Sequence, residues 1–491
     1  MPKTKPKRKS RARGDSFVLE LPLRVSPREA RALERSLDAA RNVYNAVLGE
    51  ALRRLRLLRE SRAWQAARLM PRGEARSAAF REISAAGGFT EYDLHRFAKS
   101  CRDGCWLRDH IGSHDMQTAA TRAWRAVQQH AFGKRGKPRF KAFGRMRSIE
   151  GKADAVLVRR QLADGTEAVR YRGLTLPAIV DRGSPDGYEP RALRAETKSV
   201  RLIRRRIRGK DLWFAQFVQM GLPPRRRETG TGRVGLDLGP SEIAMVSGSD
   251  ASLERFCPSV TYHSRTIRRI RRAMNRSLRA TNPDCFDASG QWVRGKKAMN
   301  RSKRYLRLKD DLAEMERRAA AERQRAHGEL ANRVLGQGDV IITERLSYRS
   351  FQKTYGRSVR RAAPGLFVTT LKRKAASAGA VVEEISTRST RLSQACHVTG
   401  GHVKKPLSQR HHRFPDGTRV QRDLYSAYLA RHVRAGADGV DRLDLVSARE
   451  GWARAEPLLR RAETERHQAA IGTGFPRPAA VREGGVGAAR T

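Results

Sequence analysis

The sequence predicts a multidomain protein in which an α+β half precedes an α/β half. Three observations carry that expectation. Residues 26–147 read as helices, opening on an apolar stripe at helical spacing. Residues 150–222 break into short alternating segments separated by Gly and Pro, which is the pattern of an antiparallel β module. From Arg233 onward, short apolar strand segments alternate with long helical patterns, which is the pattern of an α/β domain. At 491 residues the chain is long enough for two or three domains, and with 39% hydrophobic and 31% charged residues most of it should fold. It carries no internal repeat at solenoid or propeller periods.

Taken in order, residues 1–14 (MPKTKPKRKSRARG) read as a disordered basic arm suited to phosphates, with a nuclear address as the other use of such a run. DSFVLELPLR alternates like a strand. The next segment places Leu33, Leu37, Ala40, Tyr44, Val47 and Leu48 on one helical face, with Ser26 as N-cap and Pro27 at the first helical position. Further helices run through residues 60–130, including TAATRAWRAVQQHAFGK. AVRYRGLTL, SVRLIRRRI and LWFAQFVQM supply strands, and residues 223–232 within GLPPRRRETGTG read as a linker. RVGLDLG and IAMVSGS suggest a hairpin, and DVIITE a buried strand. Between them lies a long helix with Leu308, Leu312, Met315, Leu330 and Val334 on its stripe. FVTTLKRKAASAGAVVEEI reads as a helix and then a strand, and DLYSAYLARHV as the final helix. From about Gly472 the Gly/Ala/Pro-rich tail reads as disordered.

Charge is the strongest compositional signal. Lys plus Arg number 102 against 50 Asp plus Glu, a formal net charge of +52. A compact fold with that surplus repels itself unless a polyanion neutralises it, and arginine forks match phosphate geometry, so nucleic acid is the expected partner. A GC-rich genome would explain Arg over Lys but not a two-to-one excess of cations over acids. No stretch approaches the ~20 apolar residues of a membrane span. The start has cations but no apolar core of a signal peptide, and the five cysteines are scattered and odd in number. A cytoplasmic protein with reduced thiols and no membrane partner is the expectation.

In a chain this basic, an acid on an apolar strand needs a reason. Asp237 ends VGLDLG between Gly235 and Gly239, glycines that let a backbone or a phosphate approach closely. Glu344 ends VIITE, and Asp423 opens the helix DLYSAYLARHV. Singly, each has a structural explanation: GxDxG arises by chance, Glu344 could pair with an arginine, and Asp423 could be a helix cap. Together, two strand-end acids and one helix-start acid can converge on one edge of a sheet. Three hard oxygen ligands suit Mg²⁺, with Mn²⁺ as a substitute. Two such ions ~3.5–4 Å apart activate a water and stabilise the leaving oxygen in phosphodiester hydrolysis.

GLDLGPSEIA resembles the first RuvC motif of TnpB-type transposon-encoded nucleases and of compact type V CRISPR effectors. ITERLSYRSFQKTYGRSVRRAAPGLFVTTLKRKA is similar to their second motif and the segment after it, and QRDLYSAYLARHV to their third. Order, separations and flanking residues agree across roughly residues 233–435, and ARNVYNAVL and GKRGKPRFKAFG resemble the recognition and wedge segments. Carried over motif by motif, the resemblance implies Asp237, Glu344 and Asp423 as catalytic metal ligands. It also implies a bilobed protein whose partners are a guide RNA and target double-stranded DNA. A β-barrel wedge (15–25 and 148–222) with a helical recognition insert (26–147) would precede an RNase H-like RuvC domain (233–435), which carries an insert at 258–300, and a C-terminal extension (436–491).

The chain departs from that family at a four-cysteine zinc module before the third motif. Cys396 remains, but Thr399 stands in the second position, and Arg413 and Asp416 stand at the other pair. Residues 393–420 therefore read as a degenerate, metal-free basic loop, and zinc is not expected, since the neighbouring histidines are irregularly spaced. Cys101 and Cys105, with no second pair, read as core thiols. Gln421 replaces the first acid of an Asp-Arg-Asp triplet.

In GKRGKPRFKAFGRMR, Lys134, Arg135, Lys137, Arg139 and Lys141 are interleaved with Phe140, so cations can track phosphates while a ring stacks on a base. The structural alternative puts Phe140 and Phe143 in a core. Arg204, Arg205 and Arg206 offer further phosphate contacts, as does the arginine run at 264–279. The function these features point to is RNA-guided DNA cleavage beside a short target-adjacent motif. Two rivals use the same residues: a guide-directed DNA binder with little or no cleavage, and a guide-free transposase or resolvase.

Overall fold

The structure, a computed structural model, describes residues 15–472 apart from 153–155, 182–186, 225–227, 261–262, 294, 296–298, 407 and 437. The expected basic arm, the tail beyond Gly472 and the centre of the expected linker lie outside the described residues. The chain divides into two compact units, Met1–Pro224 and Arg225–Thr491.

In the first unit, β1 (Ser16–Pro22) leads into α1 (Pro27–Glu60). Ser26 caps this helix through a reciprocal box with Glu29: the Ser26 hydroxyl accepts from the Glu29 N–H at 3.4 Å, and the Glu29 carboxylate accepts from the Ser26 N–H at 2.7 Å. The stripe from Leu33 to Leu58 is buried. Helices α2 (Arg62–Leu69), α3 (Glu74–Ala86), α4 (Glu91–Asp103) and α5 (Ser113–Ala131) come next. Then come β2 (Ser148–Lys152), β3 (Leu157–Gln161), β4 (Glu167–Tyr171), β5 (Leu174–Pro177), the short α6 (Tyr188–Leu193), β6 (Thr197–Ile207) and β7 (Lys210–Met220).

The expected β-barrel is not closed. Among the described residues the strands form one sheet in the order β1-β7-β6-β2 and another in the order β3-β4-β5, joined by a single bridge from Leu23 to Ala178. The physical reason is that helices fill the gap. Side chains of α1 and α5 share one core with Leu21, Leu202 and Phe217 of the first sheet and Val169 and Tyr171 of the second. That core needs no continuous hydrogen-bond ladder around it.

The second unit opens on β8 (Arg233–Leu238), β9 (Glu242–Val246) and β10 (Ala251–Arg255), an antiparallel meander. α7 (Ser264–Thr281) and α8 (Lys303–Gln337) lie between it and β11 (Val340–Glu344). The chain continues through α9 (Tyr348–Ala362), kinked at Tyr355, α10 (Pro364–Ala378), β12 (Val381–Ile385) and the single-turn α11 (Thr387–Thr390). β13 (His411–Arg413) and β14 (Arg419–Gln421) form a small hairpin ahead of α12 (Arg422–Arg431). β15 (Val433–Ala435) and β16 (Asp441–Leu443) form another, and α13 (Leu445–Gly472) ends the described chain. The main sheet runs β10-β9-β8-β11-β12, with β8, β11 and β12 parallel.

Period two sorts that sheet into two cores. Val234, Leu236, Leu238 and Ile341 pack on α8 and α10, whereas Ala244, Val246 and Ile342 face α12 and α13. The sequence pattern makes DLYSAYLARHV the final helix and residues 436–491 an extension. Instead α13 completes the second core with Ala448, Ala455, Leu459 and Ala462. Cys101 and Cys105 are not core thiols: Cys105 is exposed and Cys101 partly so, Cys101 in the last turn of α4 and Cys105 just beyond its end. No helix among the described residues is long and apolar enough to cross a membrane.

Loop 393–420 is held by aromatic packing. His397 lies 4.8 Å from Trp452 of α13, and His412 stacks on Tyr425 at 4.5 Å. The Tyr425 hydroxyl meets His397 Nδ1 at 2.8 Å, and Arg449 of α13 donates to the His397 carbonyl at 2.9 Å. Burial pushes His397, His412 and His432 from the ordinary 6.5 down to about 4, with Arg449, Lys405 and Arg431 respectively adding to it. Their neutral forms belong to the fold, so the stability they give is intact above about pH 6.5 and is lost as pH falls towards 4. Thermal melts between those limits should show a steep acid-side loss of Tm, and His412→Phe should flatten the slope.

Candidate active site and nucleic-acid surfaces

Asp237 and Glu344 reach the same end of the sheet by register. β8 and β11 are parallel with Thr343 opposite Leu236, so the next step of the ladder sets Glu344 beside Asp237 on strands ~4.8 Å apart. Alternation puts both on the α12 face, Asp237 in phase with Gly235 and Glu344 in phase with Ile342.

Gly235 explains how Asp423 joins them. A Cβ there would stand 1.9 Å from the Ala427 carbonyl oxygen and 2.8 Å from the Arg431 nitrogen, so α12 lies with its backbone against the strand. Two residues along β8, ~6.6 Å, leads to Asp237. Four residues back along α12, ~6 Å, leads to Asp423. The close approach at Gly235 is thus made by a helix backbone, while Gly239 serves the turn into β9, where its N–H donates to the Glu242 carbonyl at 2.9 Å.

The structural explanations for the single acids fall away. The cap of α12 is Gln421, whose side-chain oxygen accepts from the Leu424 N–H at 2.7 Å. Asp423 instead receives the Gln421 amide at 3.2 Å and lies 3.5 Å from Arg422 Nε. Among the described residues neither the Asp237 nor the Glu344 side chain has a hydrogen-bond or ion-pair partner, in a chain with 102 cations. All three residues are only partly buried. Dense surroundings disfavour charge on Asp237 and push it well above the usual carboxylate range, and the charges of Asp423 and Glu344 add to this while Arg422 opposes it. Burial likewise raises Glu344.

As a donor set, three charge-crowded carboxylates with few protein partners fit a hard divalent cation. They converge without closing on a common point: among the described residues no group of three His, Cys, Asp or Glu stands as a ready cation cage. One consequence is readable by melting. A carboxyl raised in the fold gives its stability below the unfolded value and loses it as pH rises through the folded one. Asp237→Asn should therefore raise Tm at neutral pH in chelator by about 2–4 °C, the shift ~1 kcal/mol brings in a domain of this size.

The basic segment after α5 is pinned to α1. The Asn45 side chain both accepts from the Lys141 N–H at 2.8 Å and donates to the Lys141 carbonyl at 2.9 Å. Lys134, Arg135, Lys137, Arg139 and Phe140 are exposed, and Phe140 and Phe143 are 59% and 81% exposed rather than in a core. Lys141 is partly covered, its ammonium 4.7 Å from the Tyr44 ring centroid. Arg204 and Arg205 are both ion-paired within the chain, Arg204 with Glu34 at 3.4 Å and Arg205 with both oxygens of Glu20 at 2.5 and 2.6 Å; Arg205 and Arg206 are exposed. On α7, Arg265, Arg268, Arg269, Arg272 and Arg276 line an exposed face, so the arginine run at 264–279 is presented along one side of a helix.

No model of a known protein family matches the chain, and no curated protein does. Among solved structures the chain is similar to a Cas12f1-sgRNA-target DNA complex, at a TM-score of 0.43 and 11% identity over 84% of this chain and 98% of that one. It is also similar to a CRISPR-Cas12f ternary complex, at a TM-score of 0.25 and 14% identity over 82% of this chain and 81% of that one. Neither likeness is close enough to assign the chain to a family.

Proposed function

We propose that this chain is an RNA-guided DNA endonuclease whose second unit is an RNase H-like RuvC domain. The observation that carries the reading is the convergence of Asp237, Glu344 and Asp423, two of them with unpaired side chains among the described residues, at one sheet end of a strongly basic protein. The motif resemblance, the meander followed by parallel strands, and the exposed basic surfaces support it.

Asp237, Glu344 and Asp423 would hold Mg²⁺, which when bound supplies an activated water and charge stabilisation at the scissile phosphate. The remaining work belongs to the chain. Gly235 lets α12 approach β8 closely enough to bring Asp423 to the two strand-end acids. Gln421 caps α12 and holds one Asp423 oxygen at 3.2 Å, fixing the carboxylate's direction. Arg422, 3.5 Å from the other Asp423 oxygen, pairs with that carboxylate and can turn to a backbone phosphate. The pinned segment 133–147 and the arginine face of α7 would hold phosphates, while pairing with a guide reads sequence.

One observation favours a second reading, guide-directed binding with little cleavage: the three acids form no ready cation cage, and Asp423 is tied to both Gln421 and Arg422. Sequencing the RNA that copurifies with the protein tests the guide. Discrete RNA with a constant scaffold and a variable end is expected. Bulk degraded RNA that salt removes without loss of Mg²⁺-dependent cutting would leave the guide-free nuclease standing.

A further inference from the structure

We infer that the helical part of the first unit holds a binding site for an unpaired nucleotide, between α2, α3 and the C-terminal end of α5. The inference rests on the proposed nucleic-acid function and adds a site that this function does not require. Two adjoining cavities of about 540 and 470 Å³ meet there, sharing Arg76, Phe80 and Phe132. Both lie in the ~300–1,000 Å³ range of small-ligand sites.

The lining combines rings and cations. Trp64 and Phe80 pack edge to face at 4.7 Å, Phe80 and Phe132 at 5.7 Å, and the Arg76 guanidinium lies 5.7 Å from the Phe80 ring centroid. Phe132 remains 46% exposed, leaving ring surface open to a base. Trp124 Nε1 is buried beside the larger cavity with no partner among the described residues, a donor for a base or phosphate oxygen. Among the described residues Arg59, Arg68, Arg72, Arg76 and Arg81 line the two cavities and no acid does. Arg68, Arg72 and Arg81 are exposed and make no ion pair among the described residues. An apolar protein segment would need the rings but not five arginines. A duplex presents phosphates but keeps its bases stacked. A single-stranded nucleotide uses both halves of the lining.

The test uses the full chain with short single-stranded oligonucleotides of one sequence, as RNA and as DNA, carrying a photoreactive pyrimidine, and with a hairpin duplex. Cross-linked peptides are mapped by mass spectrometry. Crosslinks on Trp64, Phe80 or Phe132 with single strands but not with the hairpin are expected, and the strand that gives them identifies RNA or DNA as the occupant. Phe132→Ala should weaken single-strand affinity about tenfold, the effect of one lost stacking contact. The surface pair Arg72→Gln with Arg81→Gln, which cannot disturb a core, should reduce the slope of log affinity against log salt by roughly 1–2.

Crosslinks confined to Lys134–Lys141 and the α7 arginines, with affinity unchanged in both variants, would overturn the site and leave nucleic-acid binding intact. No crosslink anywhere would overturn both. Loss of self-association in Phe132→Ala with oligonucleotide affinity unchanged would give this face to a second copy of the chain and overturn the nucleotide.

Discussion

On the proposed function, Asp237→Ala should abolish Mg²⁺-dependent DNA cleavage, by roughly a thousandfold or more, and leave nucleic-acid affinity within about twofold of the parent. The size reflects the site's composition. Asp237 feels the charges of both Glu344 and Asp423, so its removal would take one oxygen ligand from the proposed set of three. Glu344→Ala and Asp423→Ala should each cost a similar factor, and the triple variant little more, because ligands of one cluster act as a unit. Affinity should hold because the basic surfaces lie on α7 and segment 133–147 and not on these carboxylates. Single-turnover cleavage and equilibrium binding on the same preparations separate the two effects. An unchanged cleavage rate in Asp237→Ala would remove the site.

Gly235→Ala should be the most damaging single methyl in the second unit. Its Cβ would meet the Ala427 carbonyl at 1.9 Å and the Arg431 nitrogen at 2.8 Å, both backbone atoms that cannot rotate away. Either α12 lifts from β8 or the strand buckles, and each course overpacks a core that includes Leu424, Ala427 and Tyr428. A cost of ~3 kcal/mol is expected, lowering Tm by about 6–12 °C for a domain of this size. Cleavage should fall with it, since α12 carries Asp423. A contrasting variant, Gly209→Asn, sits in the open turn between β6 and β7 with φ +74° and nothing within 4 Å of the added Cβ, and should be nearly neutral. Comparable Tm values for the two variants would contradict the close packing of α12 on β8.

How much of this could be read from the chain depends on whether a feature is local. The Ser26-Pro27 start, the α1 stripe, the β8–β9 hairpin and β11 are dictated by neighbouring residues, and the three acids stand out because they interrupt apolar runs in a basic chain. α13 escapes because arginines crowd it and Pro457 interrupts its pattern, so its apolar positions make sense only beside Trp452's partners in the 393–420 loop. Arg205 reads as a free cation because its partner Glu20 is 185 residues away. The purpose of Gly235 is half legible: the sequence signals close approach, but only the fold identifies a helix backbone as the group that approaches. Barrel closure is not legible, since whether helices or strands fill a gap is decided by packing between segments far apart in the chain rather than by any one of them.

The most direct test of guided cleavage loads the purified protein with the RNA found to accompany it and supplies plasmid DNA carrying a matching sequence. Cleavage in Mg²⁺ only at the match, absent in chelator, absent without the RNA and absent in Asp237→Ala, is the expected result. Cutting that is unchanged by removal of the RNA, or binding at the match with no cutting under any metal condition, would contradict it.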